Sequence, residues 1–298
     1  MGLSVISRRI ARLFGAGVDA EPAASWSTAN PLERPGVKEA VEFAVHSADL
    51  LLGWLPGREA FLARKTVLEV GPGQDFGLPL ILSGFGANVV LVDKYLPEWD
   101  EQFHPAYYRA LCAAATERFP GINTKPIRQL LRRGAHRARG MRLIKLGLER
   151  ADEIADAAVD VSYSNATLEH LAETPEAIEQ LGRITRVGGL GFHQIDFRDH
   201  RDSGRPLEYL CLPEDEFVAL AEGLSWSCGN RLRHTEFHEL FERAGFEVRF
   251  EPNMIAEEAY LGDVRSRAQA RFQTLPVEAL RVLSGRFFLK KRRDVEGG

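Results

Sequence analysis

From Val37 to Leu55 (VKEAVEFAVHSADLLLGWL) apolar residues recur three and four positions apart, which predicts an amphipathic helix closed by Pro56-Gly57. The period then changes. Thr66–Val70 (TVLEV) is a short, β-branched run stopped by Gly71-Pro72-Gly73, the pattern of a strand buried on both faces. Leu78–Ser83 reads as a helix broken by Gly84 and Gly86, and Asn88–Val92 (NVVLV) as a second buried strand ending in Asp93. Helix is predicted over Ala106–Phe119 and a weaker strand over Arg142–Leu146. Val159–Ser164 is a further strand, followed by helix from Leu168 to Arg183 and, after Gly188-Gly189, by the strand Leu190–Ile195. Thr235–Ala244 is helical with Gly245 beyond it, and Glu247–Phe250 and Arg286–Lys290 are the last strands. Strands alternating with helices predict an α/β fold: a Rossmann-like, doubly wound, mostly parallel seven-stranded sheet with helices on both faces.

Composition narrows the function. Of 298 residues 45% are apolar and 27% charged, and the net charge is −4, so neither a disordered chain nor a polyanion binder by bulk charge is expected. Cys112, Cys211 and Cys228 form no CxxC pair, which disfavours a disulfide scaffold or thiolate zinc site and suits a reducing compartment. No apolar run approaches the roughly 20 residues that span a bilayer, so a soluble, cytoplasmic protein is expected. In Met1–Val18, Arg8, Arg9 and Arg12 interleave with Ile6, Ile10, Leu13 and Phe14 rather than preceding them, unlike a secretory signal. An N-terminal helix packed on its own domain is favoured over a peripheral membrane helix. Asp19–Pro35 reads as a linker.

In doubly wound sheets ligands bind beyond the carboxyl ends of the strands. After the first strand comes Glu69-Val-Gly71-Pro72-Gly73-Gln-Asp-Phe-Gly77, where glycine lets the backbone approach a ligand closely. After the second comes Asp93, twenty residues past Gly73, a spacing that suits a carboxylate accepting from the ribose hydroxyls of an adenosine. A dinucleotide site would place a third glycine where Phe76 stands.

These residues resemble the class I S-adenosylmethionine-dependent methyltransferases. The acid followed by GxG matches Glu69, Gly71 and Gly73, and the acid ending strand two matches Asp93. Asp160-Val-Ser-Tyr-Ser-Asn165-Ala-Thr-Leu-Glu169-His170 resembles the family's fourth motif, and Leu181-Gly-Arg183-Ile-Thr-Arg186-Val-Gly188-Gly189 the helix and turn entering strand five. Asp75 stands where many members carry a third glycine. The resemblance implies that Gly71, Pro72 and Gly73 pass beside the methionine part of S-adenosylmethionine. It implies that Glu69 orients the amino group, Asp93 binds the ribose, Lys94 or Tyr95 borders the adenine, and Asn165 faces the cofactor and the substrate entrance. Asp152 is the candidate near the adenine amine. The domain pattern is then an N-terminal helical extension (1–60), a cofactor-binding core (61–195), a substrate lid (196–234) and the last strands of the core (235–298).

An alcohol acceptor needs a general base. His193-Gln-Ile-Asp196-Phe-Arg-Asp199-His200 supplies candidates, with His193 and Ile195 on one strand face and Gln194 and Asp196 on the other. His193 or His200 is expected as base, oriented by Asp196 or Asp199. Some family members bind a divalent ion through a Glu-x-x-Glu-His motif. Here Glu169-His170 is kept but Ala166 replaces the first Glu, so a metal is the less favoured use of these residues and none is assigned as a ligand. Tyr209, Phe217, Trp226, Asn230, Arg231 and Arg233 give the segment after strand five the look of a substrate lid, and His193–His200 with Gly229–Arg233 is similar to bacterial methyltransferases linked to polysaccharide biosynthesis. A small-molecule or saccharide acceptor, methylated on oxygen, is therefore expected. Two alternatives stand beside it. The six arginines of Arg128–Arg142 suit an RNA or membrane-lipid methyltransferase, and an inactive binding module is the third class.

Overall fold

The computed structural model describes residues 35–223 and 229–292. The amphipathic segment Met1–Val18, the linker residues 19–34, Trp226 and Cys228 lie outside the described residues. Thr66–Val70 (β1), Asn88–Val92 (β2), Met141–Ile144 (β3), Val159–Asn165 (β4), Thr185–Asp196 (β5), Phe246–Ile255 (β6) and Val282–Lys291 (β7) make one sheet of order β3-β2-β1-β4-β5-β7-β6. β1 and β5 both pair parallel to β4, with Leu68 opposite Ser162 and Ser164 opposite His193. Parallel strands end at one edge of a sheet, so the residues after Val70, Asn165 and Asp196 are neighbours in space. β7 runs antiparallel to both β5 and β6, placing Phe288 opposite Phe192 and Leu289 opposite Val248. The seven-stranded α/β sheet is as expected, but it is mixed, and the antiparallel β7 qualifies the expectation of a mostly parallel sheet. An apolar run such as Arg286–Lys290 identifies a strand but carries no information on its direction.

The chain divides into two compact units. The first holds the described residues up to Lys65, then Gly73–Val89 and Pro97–Arg142. Its helices are Val37–Trp54 (α1), Gly77–Gly84 (α2), His104–Arg118 (α3) and Lys125–Arg133 (α4). α1 buries Ala40, Val41, Ala44, Ala48, Leu51 and Leu52, the stripe its spacing predicts, and Pro56 holds Leu55 in an extended conformation that ends it. Asp49 of α1 accepts from Arg118 of α3 at 2.6 Å, so this part of the expected 1–60 extension is integral to its unit. α4 buries Pro126, Ile127 and Leu130. The arginines of the basic segment, Arg128, Arg132, Arg133, Arg137, Arg139 and Arg142, are exposed.

The second unit holds Thr66–Pro72, Val90–Leu96 and the described residues from Leu143. Its helices are Thr174–Ile184 (α5), Glu214–Gly223 (α6), His234–Arg243 (α7), Glu258–Arg267 (α8), Ala270–Gln273 (α9) and Val277–Arg281 (α10). Ile178, Leu181 and Ile184 of α5 and Phe237 and Phe241 of α7 pack with Leu68, Val70, Val92, Val159, Ile195 and Phe287. A second core joins Leu207, Tyr209, Leu210 and Phe217 to Leu261, Val264, Phe272 and Leu280. Among the described residues no helix is long and apolar enough to cross a membrane.

The segment expected as a lid is held into this second core. Arg233 is 0% exposed; its guanidinium donates to the carbonyls of Phe197, Leu280 and Val282 and to the Tyr209 hydroxyl. Arg231 donates to the Leu212 carbonyl, pairs with Glu214 and lies 3.8 Å over the Phe217 ring. Tyr209 donates to the Phe197 carbonyl at 2.8 Å. These aromatic and guanidinium groups therefore close the protein's own core rather than face a sugar.

Candidate active site

In the second unit, β1 carries Glu69, whose side chain is buried, as its next-to-last residue, and Gly71 turns the chain at φ +68°. The left-handed conformation suits glycine alone here, because a Cβ would overlap the Thr167 side chain in the turn after β4. The Gly71 amide donates to the Val92 carbonyl, tying this turn to the end of β2. Asp93 follows, its Oδ1 accepting the Tyr95 N–H at 2.7 Å. Burial raises the Asp93 pKa, partly offset by that hydrogen bond. Lys94 pairs with Glu149 at 2.6 Å, and the two, with Lys145, Gly147, Arg150 and Glu173, line a cavity of about 300 Å³ beyond the ends of β2 and β3. A Cβ at Gly147 would meet the ends of both side chains of that pair, so the glycine leaves room for it. Asp152, the expected adenine neighbour, is exposed, and Glu149 takes the inward position. The 3₁₀ turn Leu148–Glu153 decides which acid faces inward, and sequence spacing does not show it. Tyr95 is solvent-exposed. Gly73, in the first unit, also has positive φ (+69°), with open space where a Cβ would project.

Asn165 ends β4, half-buried and opposite Gln194. Beyond it Glu169, His170, Asp196, Arg198 and His200 come together. Glu169 is 1% exposed; its Oε1 accepts the Asp196 N–H at 3.0 Å, and its backbone carbonyl accepts the Asn230 N–H. Asn230 also donates to Thr174 Oγ1 at 2.7 Å, fixing residue 230 against the turn after β4. Asp196 receives Arg198 in a bidentate pair, at 2.8 Å to Oδ1 and 2.6 Å to Oδ2. His200 Nε2 lies 3.6 Å from the same Oδ2, and the His170 and His200 rings are 5.3 Å apart. Burial raises the Asp196 pKa, but the bidentate hydrogen bonds and the charge of Arg198, with the His200 ring beside them, outweigh it and hold the carboxyl below the usual range. Burial, then the charge of Asp196, pushes Glu169 well above its usual value. Their surroundings thus push the two neighbouring carboxyl groups in opposite directions, Glu169 up and Asp196 down. Asp199 takes Arg201 instead, with Oδ2 at 2.5 Å, so Asp196 is the acid beside His200.

His193 is not placed to act as a base. It is 0% exposed, bonded through Nδ1 to Ser164 Oγ at 2.7 Å and through Nε2 to Ser162 Oγ at 3.1 Å, and stacked on Phe241. The strand alternation is as expected, but α7 covers the face that His193 occupies. Among the described residues no three His, Cys, Asp or Glu side chains are gathered as a metal ion requires.

The sequence pattern of the methyltransferase domain family matches residues 45–250. No curated protein matches the chain. Among solved structures, a Haloferax volcanii methyltransferase in complex with the Trm112 activator is 15% identical, over 86% of this chain and 94% of that one, with a TM-score of 0.45. Haemonchus contortus phosphoethanolamine N-methyltransferase 2 bound to S-adenosyl-L-methionine is 12% identical, over 84% and 56%, with a TM-score of 0.43. An arsenic(III) S-adenosylmethionine methyltransferase from Chlamydomonas reinhardtii is 16% identical, over 85% and 74%, with a TM-score of 0.43.

Proposed function

Since this chain belongs to the methyltransferase domain family, we propose that it methylates an oxygen of a small-molecule or saccharide acceptor, with Asp196 and His200 managing the proton. The residues of the second unit fit S-adenosylmethionine: a turn at positive φ on Gly71, and the carboxyl groups of Glu69, Asp93 and Glu149 as acceptors for its amino groups and ribose hydroxyls. When bound, that cofactor supplies a methyl group already activated by its sulfonium centre. The chain's work is to align the acceptor and take its proton. Asp93 holds the ribose, and Glu149, freed from Lys94, accepts from the adenine amine. Asn165 lines the acceptor entrance.

The observation carrying the oxygen assignment is the Asp196–His200 pair at the carboxyl end of β5. His200 accepts the hydroxyl proton, and Asp196, kept charged by Arg198, fixes the imidazole's orientation and stabilises its cation. Glu169 holds the Asp196 backbone by accepting its N–H. The cofactor assignment is tested by calorimetric titration with S-adenosylhomocysteine. Wild type is expected to bind in the micromolar range, and Asp93→Ala to weaken binding by about 30- to 100-fold, the loss of charge-assisted bonds to two hydroxyls. Unchanged affinity in Asp93→Ala refutes the assignment.

A further inference from the structure

We infer that the segment inserted between β2 and β3 is a positioning clamp for the cofactor loop, with Tyr107 and His104 of α3 as the residues that hold it. The inference rests on the methyltransferase reading, because the loop in question begins with Gly73. That loop is conformationally expensive. Gly73 has φ +69° and Phe76, a bulky residue where a dinucleotide fold has glycine, has φ +49°. Such a conformation persists only where its surroundings impose it.

Each loop residue after Gly73 is gripped from outside. The Tyr107 hydroxyl donates to Asp75 Oδ1 at 2.6 Å, and the same oxygen accepts the Gly77 N–H at 3.1 Å, at the start of α2. His104 Nδ1 accepts the Asp100 N–H at 2.7 Å, so this nitrogen carries no proton. Its Nε2 therefore has the proton, which it donates to the Gln74 carbonyl at 3.1 Å. The Phe76 ring packs on His136 at 4.7 Å, and His136 packs on His104 at 4.5 Å. His104, Tyr107 and Phe76 are fully buried.

The arrangement explains two features of the sequence. Gly77 is glycine because a Cβ would overlap the Tyr107 hydroxyl and the Ala44 methyl. Asp75, in place of the family's third glycine, has a dedicated donor 32 positions further on. Backbone freedom has been exchanged for a side-chain tie, so Tyr107 and His104 set how the loop meets the cofactor without touching it.

The test is a double-mutant cycle on the full chain, read as S-adenosylhomocysteine affinity by calorimetry. Tyr107→Phe and Asp75→Ala are each expected to raise Kd about tenfold, and the double variant no further than the worse single, because both remove one tie. Asp75→Asn keeps an acceptor for Tyr107 and is expected to stay within about threefold of wild type. A purely structural role would lower the melting temperature and leave the Kd of the folded protein unchanged; wild-type Kd in both single variants overturns the clamp. If Asp75→Ala does not fold, Tyr107→Phe, which removes one oxygen atom, decides alone. A wild-type protein that binds no S-adenosylhomocysteine overturns the cofactor reading, and the clamp with it.

Discussion

His200→Gln is expected to lower kcat by about 10²- to 10⁴-fold, the range that a positioned general base contributes, while S-adenosylhomocysteine affinity stays within about twofold of wild type. Glutamine keeps a polar group of similar reach but cannot take a proton. Asp196→Asn should lower kcat by a smaller factor, because it weakens the support of the imidazole without removing it. Arg198 would then lose its bidentate partner, so the Asp196→Asn protein is also expected to be less stable. Steady-state kinetics over pH with both variants checks these outcomes. A rise in KM at unchanged kcat for His200→Gln would make His200 a binding residue and leave the proton without an acceptor.

The second large effect is on stability in acid. Burial lowers the pKa of His193 to about 3, against about 6.5 in an unfolded chain. Folded protein keeps the ring neutral, whereas unfolded protein binds a proton below pH 6.5. Stability from this group is therefore complete above pH 6.5 and is lost as pH falls toward 3, at about 1.4 kcal/mol per pH unit. His234 adds to the loss: burial and the neighbouring Arg233 charge lower its pKa to about 4. His193→Gln retains groups that can bond Ser162 and Ser164 but does not titrate. Urea unfolding at pH 7, 6, 5 and 4 should give the variant a pH slope lower by about one proton, roughly 3 kcal/mol less stability lost between pH 6.5 and 4. Equal slopes in the two proteins would mean that His193 is protonated in the folded state.

What was legible in the sequence is what short spacing determines. Glu69, Gly71, Gly73 and Asp93 are readable because strand, glycine turn, helix, strand and acid follow one another in order within about 25 residues, and the structure places Gly71 and Asp93 just after β1 and β2. Side chains whose partners lie far along the chain were not. His193 looked like a base until the register of β4 and β5 set it opposite Ser164, with Ser162 at its other nitrogen. Arg231 and Arg233 resembled substrate ligands, but their acceptors are carbonyls and a carboxylate supplied by other segments, up to 49 residues away. The Glu169-His170 pattern points to a metal only weakly, and only the fold sets Glu169 against Asp196, where burial and that neighbour raise its pKa. The direction of β7 and the clamp of α3 on residues 74–77 belong to the same class. Hydrophobic period locates elements and fixes their inward faces, but tertiary pairing decides which polar groups meet.

The measurement that reaches the central claim most directly is transfer of a labelled methyl group from S-adenosylmethionine by the wild-type protein. The acceptor panel would hold nucleotide sugars and oligosaccharides, with RNA and anionic lipid vesicles beside them, each with and without magnesium. Label is expected in a saccharide or small hydroxyl compound, as a methyl ether that survives both acid and base, formed without a requirement for magnesium. Label on nitrogen, on RNA or on lipid, or no transfer by a protein that binds S-adenosylhomocysteine, would contradict it.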